Sequence, residues 1–564
     1  MDYADKRSNG DDMKQPKSNL GRDVASRYLS SSPLPTPPLS DGQKQQMVAG
    51  LMAAYVTELE ASNALQQSGS RYRIPDELPL ELQAEVIKYD GRFKFIDLNG
   101  EGGNRDGDVP AVYMYDEPNK GLYSTSDMDV HSYIRSFNCA LTEKEIKTII
   151  SMLRGMVPHV SRCQNKNIIP INNGLFDYQA KKFMDFTPEL VFTTKTRVDY
   201  KPNPINPVIQ NPDGTMWDVE AWIRSLTDDP EIVELLWQVL GAVVRPGEAW
   251  DKAIFLFSTK GNNGKGTFCV LLRNLCGSGA HTSLQIADFG KEFYLEKLLT
   301  ASAIITDEND VGDYIDHAGN FKAIVTHDTI FINRKYKPAI PFRFTGIMVQ
   351  CINGLPRFRD KSNSLYRRFL TIPFEKCFTG QERKYIKNDY LNRPEVLEYV
   401  LHKVLHMDYH HFSEPAACKR LLAEYMADND TIRQFAEEML QQFAWDLVPF
   451  TFLHELYVAW MKRNYPGTKP LGRNNFINDF LDILPEYPAW ECQSKKEYTS
   501  NGRMSKSEPL IGEYDLENWY NGSYQGPDGV RRCTIKPKPK YRGILRISAR
   551  ATALPGNGTA NDDE

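Results

Sequence analysis

The sequence predicts an α/β fold built around a central sheet, with an α/β domain before the sheet and a helical module after it. Apolar, strand-like segments lie at Ala253–Phe257, 301–306 and 345–351, and a glycine-rich loop follows the first of them. Helical sequence follows the loop, which gives the strand–loop–helix order of α/β folds. Two amphipathic helical segments joined by a Gly/Pro turn at 449–484 predict the C-terminal module.

The N-terminal part is predicted to consist of a flexible tail and one helix within residues 1–70. The first 40 residues are polar and then rich in proline, a composition that buries too little apolar surface to order itself. An approximate apolar stripe at 43–67 predicts a helix. A mixed α/β domain is expected at 71–245. Its predicted elements are strands at 92–98 and 111–116 and a helix at 143–156.

The apolar stretch at 232–244 is predicted to be a buried helix beneath the central sheet. It is shorter than the roughly 20 apolar residues that cross a bilayer, and it contains Glu234 and Gln238. The acidic residues and the proline at 227–231 are typical of a helix start. We therefore expect no membrane-spanning segment and no membrane partner.

The strand-like segment Ala253–Phe257 runs into STKGNNGKGT at 258–267, which is the pattern of a phosphate-binding loop. Glycines let backbone N–H groups turn toward phosphate oxygens, Lys265 can reach the terminal phosphates, and the following helix directs its positive end at the anion. The sequence therefore predicts binding of a nucleoside triphosphate. The candidate nucleotide-binding residues are Gly261, Asn262, Asn263, Gly264, Lys265, Gly266 and Thr267.

The loop departs from the general pattern at two positions. Thr259 stands where glycine is expected, and Gly266 stands where a Ser or Thr would supply a magnesium ligand. Thr267 follows one residue later, and one helical step turns a side chain by about 100°. Thr267 would thus serve as the ligand only through a shifted loop or a bridging water. The alternative is a glycine turn that binds nothing.

Polar residues also follow the two later strands. Asp307 and Glu308 come in the order of a magnesium-orienting aspartate and a glutamate that activates the attacking water. Asn353 can orient water against the γ-phosphate. Arg368, with Arg367 as the second choice, is expected to act as an arginine finger on the phosphate of a neighbouring subunit. The predicted Mg²⁺ ligands are Thr267 and Asp307.

A basic segment, FINRKYKP at 331–338, lies between the second and third strands. Arg334, Lys335 and Lys337 surround Tyr336. Cations can follow a phosphate backbone while an aromatic ring stacks on a base of any identity. The segment is therefore predicted to contact single-stranded nucleic acid. The alternative is an exposed basic hairpin with no such role.

Together these motifs resemble the superfamily 3 helicases, in particular the phage and plasmid primase-helicase type related to poxvirus replicative NTPases. The resemblance rests on KGNNGKGTF at 260–268, IITDEND at 304–310, HDTIFINRKYKP at 327–338 and CINGLPRFRDKSNSLYRRFLTIPF at 351–374, and it extends upstream through 167–189. It implies an AAA+-like P-loop NTPase core, ATP and Mg²⁺ as cofactors, and a hexameric ring that moves on single-stranded DNA. It also implies that the basic segment is a hairpin projecting into the channel of the ring.

Domain boundaries follow from these assignments. The motor is expected at 246–395 and a helical connector at 396–430. By the resemblance, 431–550 is a winged-helix-like DNA-binding domain, and 551–564 is expected to be a disordered tail. The candidate DNA contacts of this domain are Arg473, Lys538 and Lys540. The alternative is a small helical domain used for assembly, since winged helices often bind protein.

Charge and cysteine content bear on the binding mode and the cellular setting. The net charge of −5 over 564 residues argues against a chain that coats nucleic acid, so DNA contacts should be local. The nine cysteines are scattered without C-x-x-C spacing, and they indicate neither a disulfide framework nor a zinc ribbon. The expected location is the reducing cytoplasm of a bacterial host.

The sequence therefore predicts an ATP-dependent replicative DNA helicase of a phage or mobile element. Its expected partners are single-stranded and forked DNA, further copies of the chain in a homo-hexamer, and replication proteins such as a primase or polymerase. One alternative is a primase-helicase that also synthesises primers. Another is an ATP-switched origin-binding or loader protein that assembles on DNA without unwinding it.

Overall fold

The structure is a computed structural model, and the chain divides into two compact units, Met1–Leu422 and Ala423–Glu564. The predicted tail at 551–564 lies outside the described residues. The structure describes residues 18–31, 33–66, 71–100, 107–309, 314–315, 318–354, 356–358, 363–465, 470–493 and 496–547.

The first unit begins with a small mixed sheet covered by helices. The helices are α1 (Ser18–Leu29), α2 (Asp41–Ala64), α3 (Leu80–Asp90), α4 (Asp127–Arg135) and α5 (Glu143–Leu153). The strands are β1 (Phe93–Asp97), β2 (Val109–Tyr113), β3 (Tyr123–Ser124) and β4 (His159–Ser161). The strand order is β3-β2-β1-β4, with β1 antiparallel to β2 and parallel to β4. Apolar side chains of α1, α2, α3 and α5 share one core with β1.

Helix α1 corrects the prediction of a flexible tail for residues 18–29, whereas residues 1–17 of the predicted tail lie outside the described residues. Val24 is 4% exposed and Ala25 is 2% exposed, and both belong to the same core as Leu82 of α3. The mean composition of the segment hides this apolar face because polar residues fill the remaining positions of the helix. The predicted helix at 43–67 is confirmed as α2, which begins after Ser40 because that side chain accepts a hydrogen bond from the Gln43 N–H in a capping box.

Short hairpins and two helices connect this region to the central sheet. The elements are β5 (Ile168–Ile171), β6 (Gly174–Asp177), β7 (Lys182–Met184), β8 (Ile209–Gln210), β9 (Met216–Trp217), α6 (Val219–Ser225) and α7 (Pro230–Val244). Helix α7 starts where Asp229 accepts a hydrogen bond from the Glu231 N–H, and proline occupies its first turn. Every residue of α7 from Leu235 onward is buried, which confirms the predicted buried helix.

The central sheet of the first unit has five parallel strands in the order β11-β12-β16-β10-β18. The strands of this region are β10 (Ala253–Phe257), β11 (His281–Thr282), β12 (Ala303–Thr306), β13 (Tyr314–Ile315), β14 (Thr329–Arg334), β15 (Lys337–Arg343), β16 (Ile347–Ile352), β17 (Arg357–Phe358) and β18 (Phe369–Pro373). The helices are α8 (Lys265–Cys276), α9 (Gly319–Val325), α10 (Asn363–Tyr366), α11 (Lys384–Asn388) and α12 (Pro394–His406), with 3-10 turns at Ile286–Gly290, Tyr294–Thr300 and Tyr390–Asn392. Helix α13 (Ala416–Asn429) includes Leu422, the last residue of the first unit. The three predicted strands are confirmed as β10, β12 and β16, although the last two begin two residues later than predicted.

The register of the sheet brings three strand ends together. Phe257 of β10 lies opposite Ile352 of β16, and Thr306 of β12 lies opposite Gln350 of β16. Because these strands are parallel, the residues that follow them meet at one edge of the sheet. Ligands of open parallel sheets bind at this carboxyl edge.

Strands β14 and β15 form an antiparallel hairpin that holds the basic segment. Ile330 and Ile332 are buried, while Phe331 on the opposite face is 71% exposed. The chain reverses at Lys335 and Tyr336, and Tyr336 adopts a positive φ of 61°. The predicted hairpin geometry is therefore present.

The second unit packs helices against a three-stranded antiparallel sheet of order β19-β23-β20. Its helices are α14 (Thr431–Met439), α15 (Phe450–Asn464), α16 (Arg473–Ile483), α17 (Pro509–Glu513) and α18 (Gly529–Arg532), with 3-10 turns at Leu484–Glu486 and Glu517–Trp519. Its strands are β19 (Leu447–Pro449), β20 (Trp490–Glu491), β21 (Tyr498–Thr499), β22 (Lys540–Tyr541) and β23 (Gly543–Arg546). The two helices predicted within 449–484 are confirmed as α15 and α16, whereas the winged-helix assignment stays a prediction.

No helix within the described ranges combines the length and the apolar character needed to cross a membrane. All nine cysteines are free thiols.

Candidate functional site

Lys265 is the centre of the candidate site at the carboxyl edge of the sheet. It is the first residue of α8, and only 6% of it is exposed. Its Nζ donates hydrogen bonds to the carbonyl oxygen of Ile352 at 2.9 Å, to Oδ1 of Asn353 at 2.8 Å and to the carbonyl oxygen of Ser258 at 3.2 Å. The loop that follows β10 and the end of β16 therefore meet at one ammonium group, which brings together the predicted residues Lys265 and Asn353.

The loop reaches this geometry through residues that tolerate unusual backbone angles. Asn262 has a φ of 51° and Gly264 a φ of 88°, both in the left-handed region that Gly and Asn adopt most readily. Asn263 is buried, and its Oδ1 accepts a hydrogen bond from the Lys265 N–H at 3.2 Å. A side chain added at Gly261 or Gly266 would meet open space. The loop thus presents an open backbone surface in front of the amino end of α8.

Burial makes the Lys265 ammonium a strong candidate to bind an anion. Desolvation lowers the pKa of Lys265 from its ordinary value. Within the described part of the chain, the three acceptors of its Nζ are neutral oxygens, and no carboxylate pairs with it. A partly desolvated cation without an anionic partner, at the positive end of a helix, fits the charge of a polyphosphate.

Asp307 and Glu308 directly follow β12 and are both exposed. Asp307 Oδ2 accepts a hydrogen bond from Arg273 Nη1 at 2.8 Å, and 40% of the Asp307 side chain is exposed. Arg273 lies two turns along α8 from Lys265, and sequence reasoning missed it. Its position on the helix that follows the loop was the available signal.

Asn309 is a second residue that sequence reasoning missed. Its Nδ2 donates to Gln350 Oε1 and to the Cys351 carbonyl oxygen, both at 3.0 Å, and its Oδ1 accepts from the Ile286 N–H. Asn309 therefore fixes the segment after β12 to β16. The positions of Asp307 and Glu308 depend on this anchor.

Thr267 lies on a different side of α8 from Asp307. Two residues along a helix turn a side chain by about 200°, so Thr267 faces away from Lys265. It lines a cavity of about 890 Å³ together with Asn262 and Gly264 of the loop. Asp307 is not among the residues that line this cavity, and a Mg²⁺ site formed by Thr267 and Asp307 stays a prediction. The rest of the lining is mixed: it includes the aromatic residues Trp217, Trp222, Phe378 and Tyr385 together with charged residues such as Asp213, Glu382 and Arg383.

The two candidate arginine fingers differ in exposure. Arg368 is 9% exposed, and its Nη1 donates to the carbonyl oxygen and to Oγ of Ser364 in the same chain. Arg367 is exposed, and its carbonyl oxygen accepts a hydrogen bond from Lys252 Nζ. The side chain of Arg367 is therefore the more accessible of the two.

The predicted nucleic-acid residues of the hairpin lie at or beside its tip. Tyr336 is 93% exposed, and Lys335 Nζ lies 5.2 Å from the centre of its ring. Arg334 donates to the Pro338 carbonyl oxygen across the turn, and Lys337 pairs with Asp127 of α4. Lys335 and Tyr336 are thus the accessible cation and ring.

The three basic residues predicted in the second unit are exposed. Arg473 is the first residue of α16, and Lys540 opens β22. Lys538 precedes β22, and its carbonyl oxygen accepts a hydrogen bond from Ser500 Oγ. Their side chains are accessible, and their contact with DNA stays a prediction.

Comparisons with known families give matches in three segments. Residues 113–229 match a model described as D5 N terminal like, and residues 427–521 match one described as poxvirus D5 protein-like. Residues 256–368, which contain most of the candidate site, match a family of unknown function (DUF5906).

Solved structures and a viral protein also resemble the chain. Two apo structures of the NrS-1 C-terminal region match with TM-scores of 0.40 and 0.39 at 13% and 14% identity, over 75% and 76% of this chain and 97% and 98% of those chains. The "Putative helicase L207/L206" of Acanthamoeba polyphaga mimivirus is 23% identical over 231 residues, which is 38% of this chain and 22% of that protein. In sequence, segments similar to the two D5 models thus lie before and after the candidate site, and one relative is named a putative helicase.

Proposed function

We propose that the chain is an ATP-dependent DNA helicase of the superfamily 3 type. One observation carries the proposal: Lys265 at the amino end of α8 meets Asn353 at the end of β16, on the sheet edge where Asp307 and Glu308 follow β12. A phosphate-binding cation, a water-orienting amide and two carboxylates at one edge are the parts that phosphoryl transfer needs. The mimivirus protein that matches 38% of this chain is named a putative helicase, which supports the proposed helicase function.

In this proposal the loop and Lys265 hold the phosphates of ATP. The cavity beside Asn262 and Thr267 would hold the base, for which its aromatic residues, such as Phe378 and Tyr385, offer stacking surfaces. Asp307 would hold Mg²⁺ in place of its present partner Arg273, and the ion would neutralise charge on the phosphates. Glu308 would accept a proton from the attacking water, and Asn353 would orient that water.

The hairpin tip would contact single-stranded DNA. Lys335 supplies a cation for the phosphate backbone, and Tyr336 supplies a ring for stacking on bases. We propose that six copies form a ring around the strand, with an arginine of one copy completing the site of the next. A phage or mobile-element replication fork, with a primase or polymerase as partner, is the proposed setting.

The variant Lys265→Ala should lose ATP turnover by about 10²- to 10³-fold, the usual effect of deleting one donor that stabilises transition-state charge. Binding of a fluorescent ATP analogue should weaken as well, because the lysine also holds the ground-state phosphates. Lys144→Ala on the exposed face of α5 is the matched control and should behave like wild type. Wild-type turnover by a folded Lys265→Ala protein would contradict the assignment of the loop.

The variant Lys335→Ala should keep its ATP turnover without DNA and lose stimulation by single-stranded DNA. Its side chain is exposed at the hairpin tip, where its Nζ lies beside the Tyr336 ring. Turnover is measured over a range of oligonucleotide concentrations, and Lys144→Ala is again the control. A fall in basal turnover as large as the fall in stimulation would mean that Lys335 supports the fold instead of contacting DNA.

The proposed function is tested by steady-state ATP hydrolysis with and without single-stranded DNA. We expect measurable hydrolysis that increases when DNA is added. A protein that binds ATP but does not hydrolyse it under either condition would contradict the proposal and favour the loader alternative. Incorporation of labelled nucleotides on a primer-free template tests the primase-helicase alternative. Primer synthesis in this assay would favour that alternative over a helicase without primase activity.

A further inference from the structure

Two cysteines lie against each other beneath the candidate site. Cys269 of α8 and Cys351 of β16 have their Sγ atoms 3.3 Å apart, which is within hydrogen-bond distance for two thiols. Both side chains are at most 2% exposed. Their sulfurs and a carboxylate oxygen of Asp307 all lie within 4.8 Å of one another, and Asp307 is open to solvent. The two buried sulfurs therefore lie beside a solvent-exposed carboxylate.

The pair joins the same two elements as the Lys265–Asn353 contact. Cys269 lies one helical turn beyond Lys265, and Cys351 lies in β16, two residues before Asn353, which directly follows that strand. The two thiols thus form a second contact between α8 and β16, in addition to the contact between the Lys265 ammonium group and the end of β16. A change in the distance between the two sulfurs should therefore shift α8 relative to β16 and change the position of Lys265.

We propose that Cys269 and Cys351 form a redox modification site that closes to a disulfide under peroxide and thereby switches off ATP turnover. The disulfide requires the sulfurs to move from 3.3 Å to about 2.05 Å. The effect on turnover rests on the proposed ATPase function, whereas formation of the disulfide does not.

The chemistry balances with hydrogen peroxide as the oxidant. One sulfur, after losing its proton, attacks a peroxide oxygen; the O–O bond breaks, the departing hydroxide becomes water, and a sulfenic acid remains. The second sulfur then attacks the sulfenic sulfur, the S–S bond forms, and a second water leaves. Two thiols and one peroxide give one disulfide and two waters, and a dithiol reductant reverses the change.

A disulfide suits this location better than a bound metal ion. The cluster offers one carboxylate and two thiols, and Mg²⁺, the ion proposed at Asp307, prefers oxygen ligands to sulfur, so the two thiols are not needed for that ion. A disulfide is neutral and can form within a buried environment. The hydrogen bond between the sulfurs, together with burial, raises the pKa of Cys269, so the reaction should be slow and the test uses excess peroxide.

The test treats the full chain with excess peroxide, quenches it, and maps peptides without reduction. We expect a peptide pair joined through Cys269 and Cys351 and a loss of ATP turnover of about 10- to 100-fold, because misplacement by about 1 Å costs up to about 100-fold in rate. Dithiothreitol should restore both. Absence of the linked pair in peroxide-treated wild type overturns the site.

Variants separate this pair from the other cysteines. Cys269→Ser and Cys351→Ser should keep their turnover after peroxide, while Cys276→Ser, a buried cysteine of the same helix, should respond like wild type. Formation of the disulfide with unchanged turnover would overturn the switch. If untreated wild type does not hydrolyse ATP, the proposed function fails, and peptide mapping alone still decides whether the disulfide forms.

Discussion

Glu308→Gln should bind ATP nearly as well as wild type and hydrolyse it about 10²- to 10⁴-fold more slowly, the range that general acid–base catalysis contributes. Glutamine keeps the shape of the side chain but cannot accept the proton of the attacking water. Glu308 is exposed beside Asp307 and follows a strand that Asn309 anchors to β16, so the substitution should leave the fold intact. Turnover and binding of a fluorescent ATP analogue are measured on the same preparation.

Glu296→Gln is the matched control, since Glu296 is exposed and lies outside the candidate site. It should turn over ATP at the wild-type rate. Equal turnover by Glu308→Gln and wild type would remove Glu308 from the mechanism and leave the water without an assigned base.

Removal of the arginine finger should lower turnover by about 10³-fold or more, because such an arginine stabilises the charge of the phosphoryl-transfer transition state. We expect this effect from Arg367→Ala or from Arg368→Ala. The exposure of Arg367 favours its reach to a neighbouring subunit, whereas Arg368 is buried and bonded to Ser364. Thermal unfolding is measured for both variants, because loss of a buried arginine can also destabilise the chain.

Mixing the arginine variant with Glu308→Gln distinguishes an arginine finger, which acts on a neighbouring subunit, from an arginine that only stabilises its own chain. In a mixed ring, a subunit that lacks the arginine keeps its own Glu308, and a Glu308→Gln neighbour supplies the missing arginine. Some turnover should therefore return when the two inactive variants are combined. Turnover per subunit in wild type should also rise with protein concentration. No recovery on mixing, with turnover independent of dilution, would show a site complete within one chain.

Much of the candidate site could be predicted because its parts follow strands in sequence. Lys265, Asp307 and Asn353 each come directly after an apolar segment or its loop, and parallel strands bring such positions to one edge. The hairpin was predictable for a similar reason, since its basic residues are contiguous.

The remaining features depend on contacts between distant segments. Arg273 pairs with Asp307 across 34 residues, and Asn309 bonds to Gln350 across 41 residues. The local sequence pattern does not predict these partners. Hydrophobic periodicity indicates which face of a helix or strand is buried, but it does not identify the residue that packs against that face. The cavity that Thr267 lines could not be predicted for the same reason, because residues from 212–226 and 378–387 form most of its lining.

Helix α1 could not be predicted for a different reason. Its apolar face is formed by few residues within a polar segment, and the buried contacts that stabilise it come from α2 and α3. A short helix in isolation is marginal, so its formation depends on tertiary packing.

The most direct test of the account is strand displacement on a forked DNA duplex with ATP and Mg²⁺, with wild type and Glu308→Gln compared at equal concentration. We predict that wild type separates the strands and that Glu308→Gln binds the fork without separating them. Strand separation by Glu308→Gln at the wild-type rate, or ATP hydrolysis by wild type without any strand separation, would contradict the proposal that ATP turnover at this site drives unwinding.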